Sequence, residues 1–200
     1  MVRVCRCFDQ LLCMPFGHGL CAPRRMLYPA FNGTIYIPLL MAAARSSPGT
    51  MLLRLWQRLA PLPGGRWLFG RLLGWFVPYT GTIRPQIQEL RPGYVRVGLS
   101  DRRRVRNHLN SVHAIALANL GEVTSGLAVL AGLSPHTRGI VLRLSMEYMK
   151  KARGPLMAES ACVVPEVVDT EQEFLVYADI RDGDGDIVAR ATVCWRLGPV

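Results

Sequence analysis

One carboxylate stands alone in a long apolar stretch and is the first candidate for chemistry. No residue between His113 and Ala131 strongly breaks a helix, and Glu122 is the only acid among them. A helix that is apolar on nearly all faces belongs inside a protein, where a carboxylate is rarely buried without a partner. Glu122 is therefore either a working acid or base, or a side chain that pairs with a nearby arginine or with Asn119.

Polar residues gather immediately before this stretch. Asn107 and Asn110 are typical of turns, and His113 could cap the helix or bond a loop carbonyl. Neither the histidines nor the six cysteines show the paired spacing of a metal site, so no metal is expected. The preceding run D-R-R-R-V-R could contact a phosphate group or form a solvated loop. Its basic residues are Arg102, Arg103, Arg104 and Arg106.

The segments around the apolar stretch predict strands. Residues 95–99 alternate apolar and polar side chains after a Pro-Gly turn, which is typical of a strand with one solvated face. Four further strand-like runs follow the stretch, with turn signals between them. The last turn, D-G-D-G-D at 182–186, has the acid spacing of a calcium loop, but Val193 stands where the bidentate Glu would be. It therefore predicts a hairpin.

The apolar stretch decides the fold class. Its small residues would let a sheet approach the helix backbone closely, and Gly132 and Pro135 supply its end. Glu122 and Asn119 near its middle argue against a membrane span. We therefore predict an α+β fold in residues 80–200, with about five antiparallel strands wrapped around one long central helix.

The first fifty residues do not resemble a folded domain. Asp9 and Gln10 interrupt the first apolar stretch, so a secretory signal is poor there. The next apolar run, residues 35–44, is too short to span a bilayer. Residues 1–50 are therefore interpreted as a disordered leader or as the product of a translation start placed upstream of Met51.

Residues 51–79 predict two short amphipathic helices before the main domain. Trp67, Trp75 and Phe76, with Arg66 and Arg71, could lie on a membrane surface. The alternative is that these aromatic residues cover the open side of the domain.

Positive charge is concentrated before the central helix. Residues 51–106 contain eleven arginines and two acids, whereas residues 107–200 contain eight basic residues and eleven acids. This asymmetry indicates an acidic partner, such as a phosphorylated ligand or a membrane surface. No recognisable nucleic-acid module is present, so nucleic acid is not expected. We expect a cytoplasmic protein with reduced thiols, which could contact a membrane peripherally.

The order of these features resembles the hotdog-fold acyl-CoA thioesterase superfamily. Its members have a strand, a loop, N-x5-H, an acid nine residues after the His, and then four strands. The resemblance covers roughly residues 80–197 and is strongest at 107–126 and 142–154. It is closest to the phenylacetic-acid-degradation type and to a branch described only as a domain of unknown function.

The resemblance implies a thioesterase site. Asn107, His113 and Glu122 match the family's Asn, His and acid, and the backbone amide of Ala114 matches its oxyanion donor. Glu122 lies eight positions after Ala114, about 12 to 13 Å along the helix, so one chain cannot easily present both groups to one carbonyl. The family solves this with a homodimer in which the acid of one chain faces the helix start of the other. Such dimers could pair into tetramers.

The implied substrate is an acyl-CoA or an acyl carrier protein, and no cofactor is expected beyond the coenzyme A of the substrate. The basic loop would hold the phosphates or meet the acidic carrier protein, and its other expected role is solubility. The expected substrate-binding residues are Arg102, Arg103, Arg104, Arg106, Ile115 and Asn119.

Two departures from the family pattern leave the function open. Ala114 and Ile115 replace two glycines, and Val141 stands where some members have a hydroxyl residue. Ala114 keeps its amide, but Ile115 would narrow the pocket. Three functions therefore remain: a thioester hydrolase, a module that binds an acyl thioester or lipid without cleaving it, and a hydratase or dehydratase that uses His113 with Glu122.

Overall fold

A computed structural model describes residues 48–167 and 170–199. The predicted leader, residues 1–50, lies outside the described residues except for its last three. The helices are α1 (Pro48–Leu59), α2 (Gly65–Phe76), α3 (Pro78–Ile83) and α4 (Ala114–Gly132). The strands are β1 (Gln86–Arg91), β2 (Tyr94–Leu99), β3 (Thr137–Tyr148), β4 (Leu156–Ala161), β5 (Gln172–Arg181) and β6 (Ile187–Pro199).

The six strands form one antiparallel sheet in the order β1-β2-β4-β5-β6-β3. Helix α4 packs against every strand of this sheet, and most of its residues are buried. The α+β hotdog architecture expected from the sequence, with one central helix, is therefore confirmed. The number of strands differs from the prediction, because β1 was not foreseen.

Strand β1 is hidden in the sequence by a bulge. Ile87 and Leu90 are both buried although they lie three residues apart, since the register with β2 shifts between Ile87 and Glu89. The bulge breaks the period of two that identifies a strand. The turn to β2 passes through Gly93, whose φ of 73° favours glycine.

Glycines let α4 lie directly on β6. A Cβ on Gly121 would come within 2.4 Å of the Ala191 Cβ. The backbone of the helix therefore approaches the strand closely at this point. Among the described residues, α4 is the one helix long and apolar enough to cross a membrane by length and composition. Most of it is buried inside the protein, as expected for a core helix.

Three helices precede the sheet, one more than predicted, and α3 crosses the predicted boundary after residue 79. Trp56 of α1 and Phe69 of α2 are buried and form an edge-to-face pair with ring centroids 5.1 Å apart. By contrast, Trp67, Trp75 and Phe76 are exposed. The alternative that these three side chains cover the domain is therefore wrong, because other residues of the same helices perform that packing.

The D-G-D-G-D segment connects β5 to β6 as a hairpin, as predicted. The Asp182 carboxylate accepts hydrogen bonds from the backbone amides of Asp184 and Asp186. Lys150 forms ion pairs with Asp182 and Asp186, at 2.8 and 2.7 Å. These bonds raise the pKa of the lysine and occupy the carboxylates that a calcium ion would need.

Candidate functional site

The start of α4 is capped by a histidine. His113 is the N-cap residue, and its Nδ1 accepts a hydrogen bond from the backbone amide of Ile115 at 3.1 Å. The Ala114 amide donates no hydrogen bond to any described residue, and it lies at the positive end of the helix. This amide is therefore available to an anionic or partly negative ligand atom. The described residues contain no group of three His, Cys, Asp or Glu that could hold a metal ion.

The loop before the helix is organised by Asn107. Its Oδ1 accepts hydrogen bonds from the Leu109 amide at 2.9 Å and from the amide and hydroxyl of Ser111, both at 3.2 Å. Asn110 adopts a positive φ of 54°, so both asparagines are turn residues. The Asn107 Nδ2 donates to no described residue and remains free for a ligand.

The basic loop divides into two pairs of arginines. Arg102 donates to the Ile83 carbonyl, and Arg106 donates to the carboxylate of Asp101 and to the side chain of Asn110. Arg102 and Arg106 therefore hold the loop in place. The other two, Arg103 and Arg104, are exposed and bond to no side chain among the described residues, so they are the available contacts for a phosphate.

Glu122 lies half-buried in the third turn of α4. Within the part of the chain that the structure describes, its carboxylate has no hydrogen bond and no ion pair. Neither of the partners considered from the sequence is found, because no arginine pairs with it and Asn119 points elsewhere. The Asn119 Nδ2 donates to the Tyr79 carbonyl of α3 at 3.1 Å, while its Oδ1 is buried without a partner.

Strand β3 contributes residues that the sequence analysis did not place at the site. The Tyr148 hydroxyl donates to the Ala114 carbonyl at 3.2 Å, and burial raises the pKa of this tyrosine. The sulfur of Met146 lies 3.7 Å from the position that a Cβ on Gly121 would take. Gly121 directly precedes Glu122 in α4. Because side chains alternate along a strand, Leu144 shares the face of Met146 and Tyr148. Tyr148 and Met146 therefore form an apolar wall along α4, from its start to its third turn, and Leu144 continues the same face of β3.

This wall lies at an open edge of the sheet. Strand β3 is the last strand in the order, so β6 is its one neighbour among the described strands. Its exposed apolar side chains are Ile140, Leu142, Leu144 and Tyr148. A long apolar edge strand is a surface for pairing with another strand.

A profile for a domain of unknown function, DUF4442, matches residues 65–197, which is most of the described chain. The chain belongs to the DUF4442 family. This match confirms the resemblance to a branch of the hotdog superfamily known only as a domain of unknown function. No curated protein matches this DUF4442 member.

Solved structures share the fold of this DUF4442 protein. A structure described only as a genomics target is 29% identical, with a TM-score of 0.65 over 76% of this chain and 99% of its own. A Pseudomonas aeruginosa protein of unknown function, described as a candidate thioesterase, is 22% identical, with a TM-score of 0.56 over 70% and 97% of the two chains. A Mycobacterium tuberculosis protein described as a candidate esterase is 17% identical, with a TM-score of 0.54 over 62% and 98%.

Proposed function

We propose that this DUF4442 protein hydrolyses acyl thioesters, with Glu122 as the general base or nucleophile. The observation that carries the proposal is the half-buried carboxylate on the central helix, which has no partner in the part of the chain that the structure describes. As a base, Glu122 would take a proton from water while the water oxygen bonds to the thioester carbonyl carbon. The C–S bond then breaks, the acid product forms, and the thiolate leaves and is protonated.

The developing oxyanion needs donors that are already oriented. The Ala114 amide is free and lies at the helix N-terminus, where the helix dipole favours negative charge. The Asn107 Nδ2 is the second free donor and would orient the water or the carbonyl. A backbone amide is available whatever the side chain, so the replacement of glycine by Ala114 does not remove this contact.

We further propose that the site is shared between two copies of the chain. Two β3 edges that pair antiparallel around a twofold axis would also run the two α4 helices antiparallel. The start of one helix would then face the middle of the other, where Glu122 lies. This arrangement overcomes the separation of about 12 Å between Ala114 and Glu122 within one helix.

Two features of α4 and its neighbouring elements support a substrate class. Met146, Tyr148 and Leu144 provide apolar contacts for an acyl chain. Arg103 and Arg104 are exposed and would contact the phosphates of coenzyme A or the acidic surface of a carrier protein. An acyl-CoA or an acyl carrier protein is therefore the proposed substrate.

Thiol release from a panel of short, long and aromatic acyl-CoAs tests this function. Glu122→Gln removes the base but keeps the size of the side chain, so kcat/KM should fall by about 10²- to 10⁴-fold. The matched control is Glu89→Gln, since Glu89 is an exposed acid on β1, at the opposite end of the strand order from β3, and this variant should retain the wild-type rate. A Glu122→Gln protein that hydrolyses every substrate as fast as the wild type would refute the proposed role.

A binding protein is the second candidate, favoured by the exposed Ile115 side chain at the helix start, where the family has glycine. In this case no acyl-CoA would release thiol, yet acyl-CoA would raise the melting temperature of the wild-type protein. The same assay plate therefore distinguishes a binding module from a hydrolase.

A further inference from the structure

Helix α2 is apolar on two opposite faces. One face packs on the domain through Phe69 and Leu73, which are buried. On the other face Trp67, Arg71 and Trp75 follow one another at a spacing of four residues. The two tryptophans are 70% and 71% exposed, so no described residue covers this second face.

The exposed face continues through the junction with α3. We call it the aromatic face, and its exposed apolar residues are Trp67, Leu68, Trp75, Phe76, Val77 and Tyr79. The rings of Trp75 and Phe76 contact each other, with centroids 4.9 Å apart. Single exposed apolar residues are common on protein surfaces, whereas six large ones within residues 67–79 indicate a site of interaction.

The charge around the aromatic face is uniformly positive. Residues 48–83 contain four arginines and no acid. The arginines of α2, Arg66 and Arg71, form no ion pair with any described residue, and Arg84 directly follows α3 and is exposed. Tryptophan beside arginine is the composition of helices that lie in the headgroup region of a bilayer, where the indoles insert and the cations meet anionic lipids.

The structure holds the aromatic face rigidly. Gly74 and Gly81 bring α2 and α3 into close contact, since a Cβ on Gly81 would come within 2.5 Å of the Gly74 carbonyl oxygen. Helix α3 is fixed to the rest of the domain by Asn119, which bonds the Tyr79 carbonyl, and by Arg102, which bonds the Ile83 carbonyl. A preformed face loses little conformational freedom when it binds.

We propose that the aromatic face docks this protein on an anionic lipid bilayer. The proposal rests on the exposed aromatic residues and on their positive surroundings, and it does not depend on hydrolase activity. The face also adjoins the start of α4, through Tyr79 and Asn119, so a docked protein would present its candidate site close to the membrane surface.

Vesicle sedimentation of the full chain tests the proposal. The protein should sediment with phosphatidylcholine vesicles that contain phosphatidylglycerol, and much less with phosphatidylcholine alone. Trp67→Ser with Trp75→Ser should weaken binding at least about tenfold, because both inserted indoles are lost. The control is Leu175→Ser with Tyr177→Ser, which removes two large side chains of β5 that are 52% and 53% exposed, and this variant should bind as the wild type does.

The proposal is overturned if the wild type ignores anionic vesicles or if the double tryptophan variant binds them equally well. Gel filtration without lipid gives a second test. The proposal is also overturned if the wild type and the control elute as an oligomer while the double tryptophan variant elutes as a monomer. The aromatic face would then join two copies of the chain.

A conservative variant excludes an effect of misfolding. Trp67→Phe with Trp75→Phe keeps the apolar face and leaves Trp56 and Trp195, each 6% exposed, as the tryptophans of the described residues. This variant should still sediment with the vesicles, but brominated acyl chains should quench its fluorescence far less than that of the wild type. Equal quenching would show that the exposed tryptophans do not enter the bilayer.

Discussion

The two polar atoms of the Asn107 side chain have different roles. Its Oδ1 holds the loop through three hydrogen bonds, while its Nδ2 donates to none of the residues in 48–167 and 170–199. Substitution by aspartate keeps an oxygen for the loop and removes the amide donor. Substitution by alanine would remove both the Oδ1 acceptor and the Nδ2 donor. Asn107→Asp therefore tests the role of the donor in catalysis without removing the oxygen that holds the loop.

Asp101 stabilises the loops on both sides of the site. Its carboxylate accepts from Arg106 Nε at 2.6 Å and from the Gly154 amide at 2.9 Å, so it ties the basic loop to the segment after β3. The hydrogen bond from Arg106 lowers the pKa of Asp101 below its ordinary value of 3.8, and the Gly154 amide acts in the same direction.

We predict that Asp101→Asn lowers the melting temperature at neutral pH. A carboxylate whose pKa is lower in the folded than in the unfolded state stabilises the fold above the unfolded value, and this contribution disappears as the pH falls through the folded value. The difference in melting temperature between wild type and variant should therefore shrink below about pH 4. Thermal unfolding at a series of pH values measures this, and a difference that is constant down to pH 2 would contradict it.

The sequence predicted part of the candidate site at this scale. Glu122 was identifiable because it is the only acid in its apolar stretch. Tyr148 was missed because it lies 34 residues from Ala114, and only the curvature of the sheet brings them together. The sequence also could not separate the two structural arginines of the basic loop from the two free ones, since all four occur in one run.

At the scale of elements, the contact between α4 and β6 sets how closely the helix approaches the sheet. Two glycines of α4 face β6 in different ways. A Cβ on Gly121 would meet Ala191 at 2.4 Å, whereas a Cβ on Gly126 would meet the indole of Trp195 at 3.4 Å, an ordinary contact distance.

The two alanine substitutions should therefore have different effects on the free energy of unfolding. Gly121→Ala should destabilise the fold by about 1–3 kcal/mol, because the gain in helix propensity does not offset the overlap with β6. Gly126→Ala should be neutral or stabilise it by up to about 1 kcal/mol through helix propensity. Denaturant unfolding measures both, and equal changes in the two variants would contradict the close packing of α4 on β6.

Elements were predictable where one pattern continued without interruption. The bounds of α4 follow from an apolar run that contains no strong helix breaker and ends at Gly132 and Pro135. Most of the strands from β2 to β6 follow from runs in which apolar and polar residues alternate. Strand β1 was lost because its bulge puts Ile87 and Leu90 on one side. In α2, apolar residues occupy two faces. The sequence alone therefore does not predict which of these faces packs against the domain.

For the whole molecule, the open edge at β3 is the main incomplete feature. The site residues within one chain are divided between the start of α4 and its third turn, and the wall beside them ends at this edge. A second copy paired along β3 would cover the edge and complete the site at the same time. Hydrolysis would then require the dimer, so neither a monomer nor a dimer paired through another surface should hydrolyse a thioester.

Mixed dimers test this central claim most directly. Glu122→Gln and Asn107→Asp chains, each inactive alone, are unfolded together, refolded and assayed for thiol release on the best acyl-CoA substrate. If Glu122 of one chain acts with Asn107 of its partner, each mixed dimer has one intact site and one doubly altered site. Random mixing should then restore about a quarter of the wild-type activity. Activity that stays at the level of the separate variants, although mixed dimers form, would contradict a site shared between two chains.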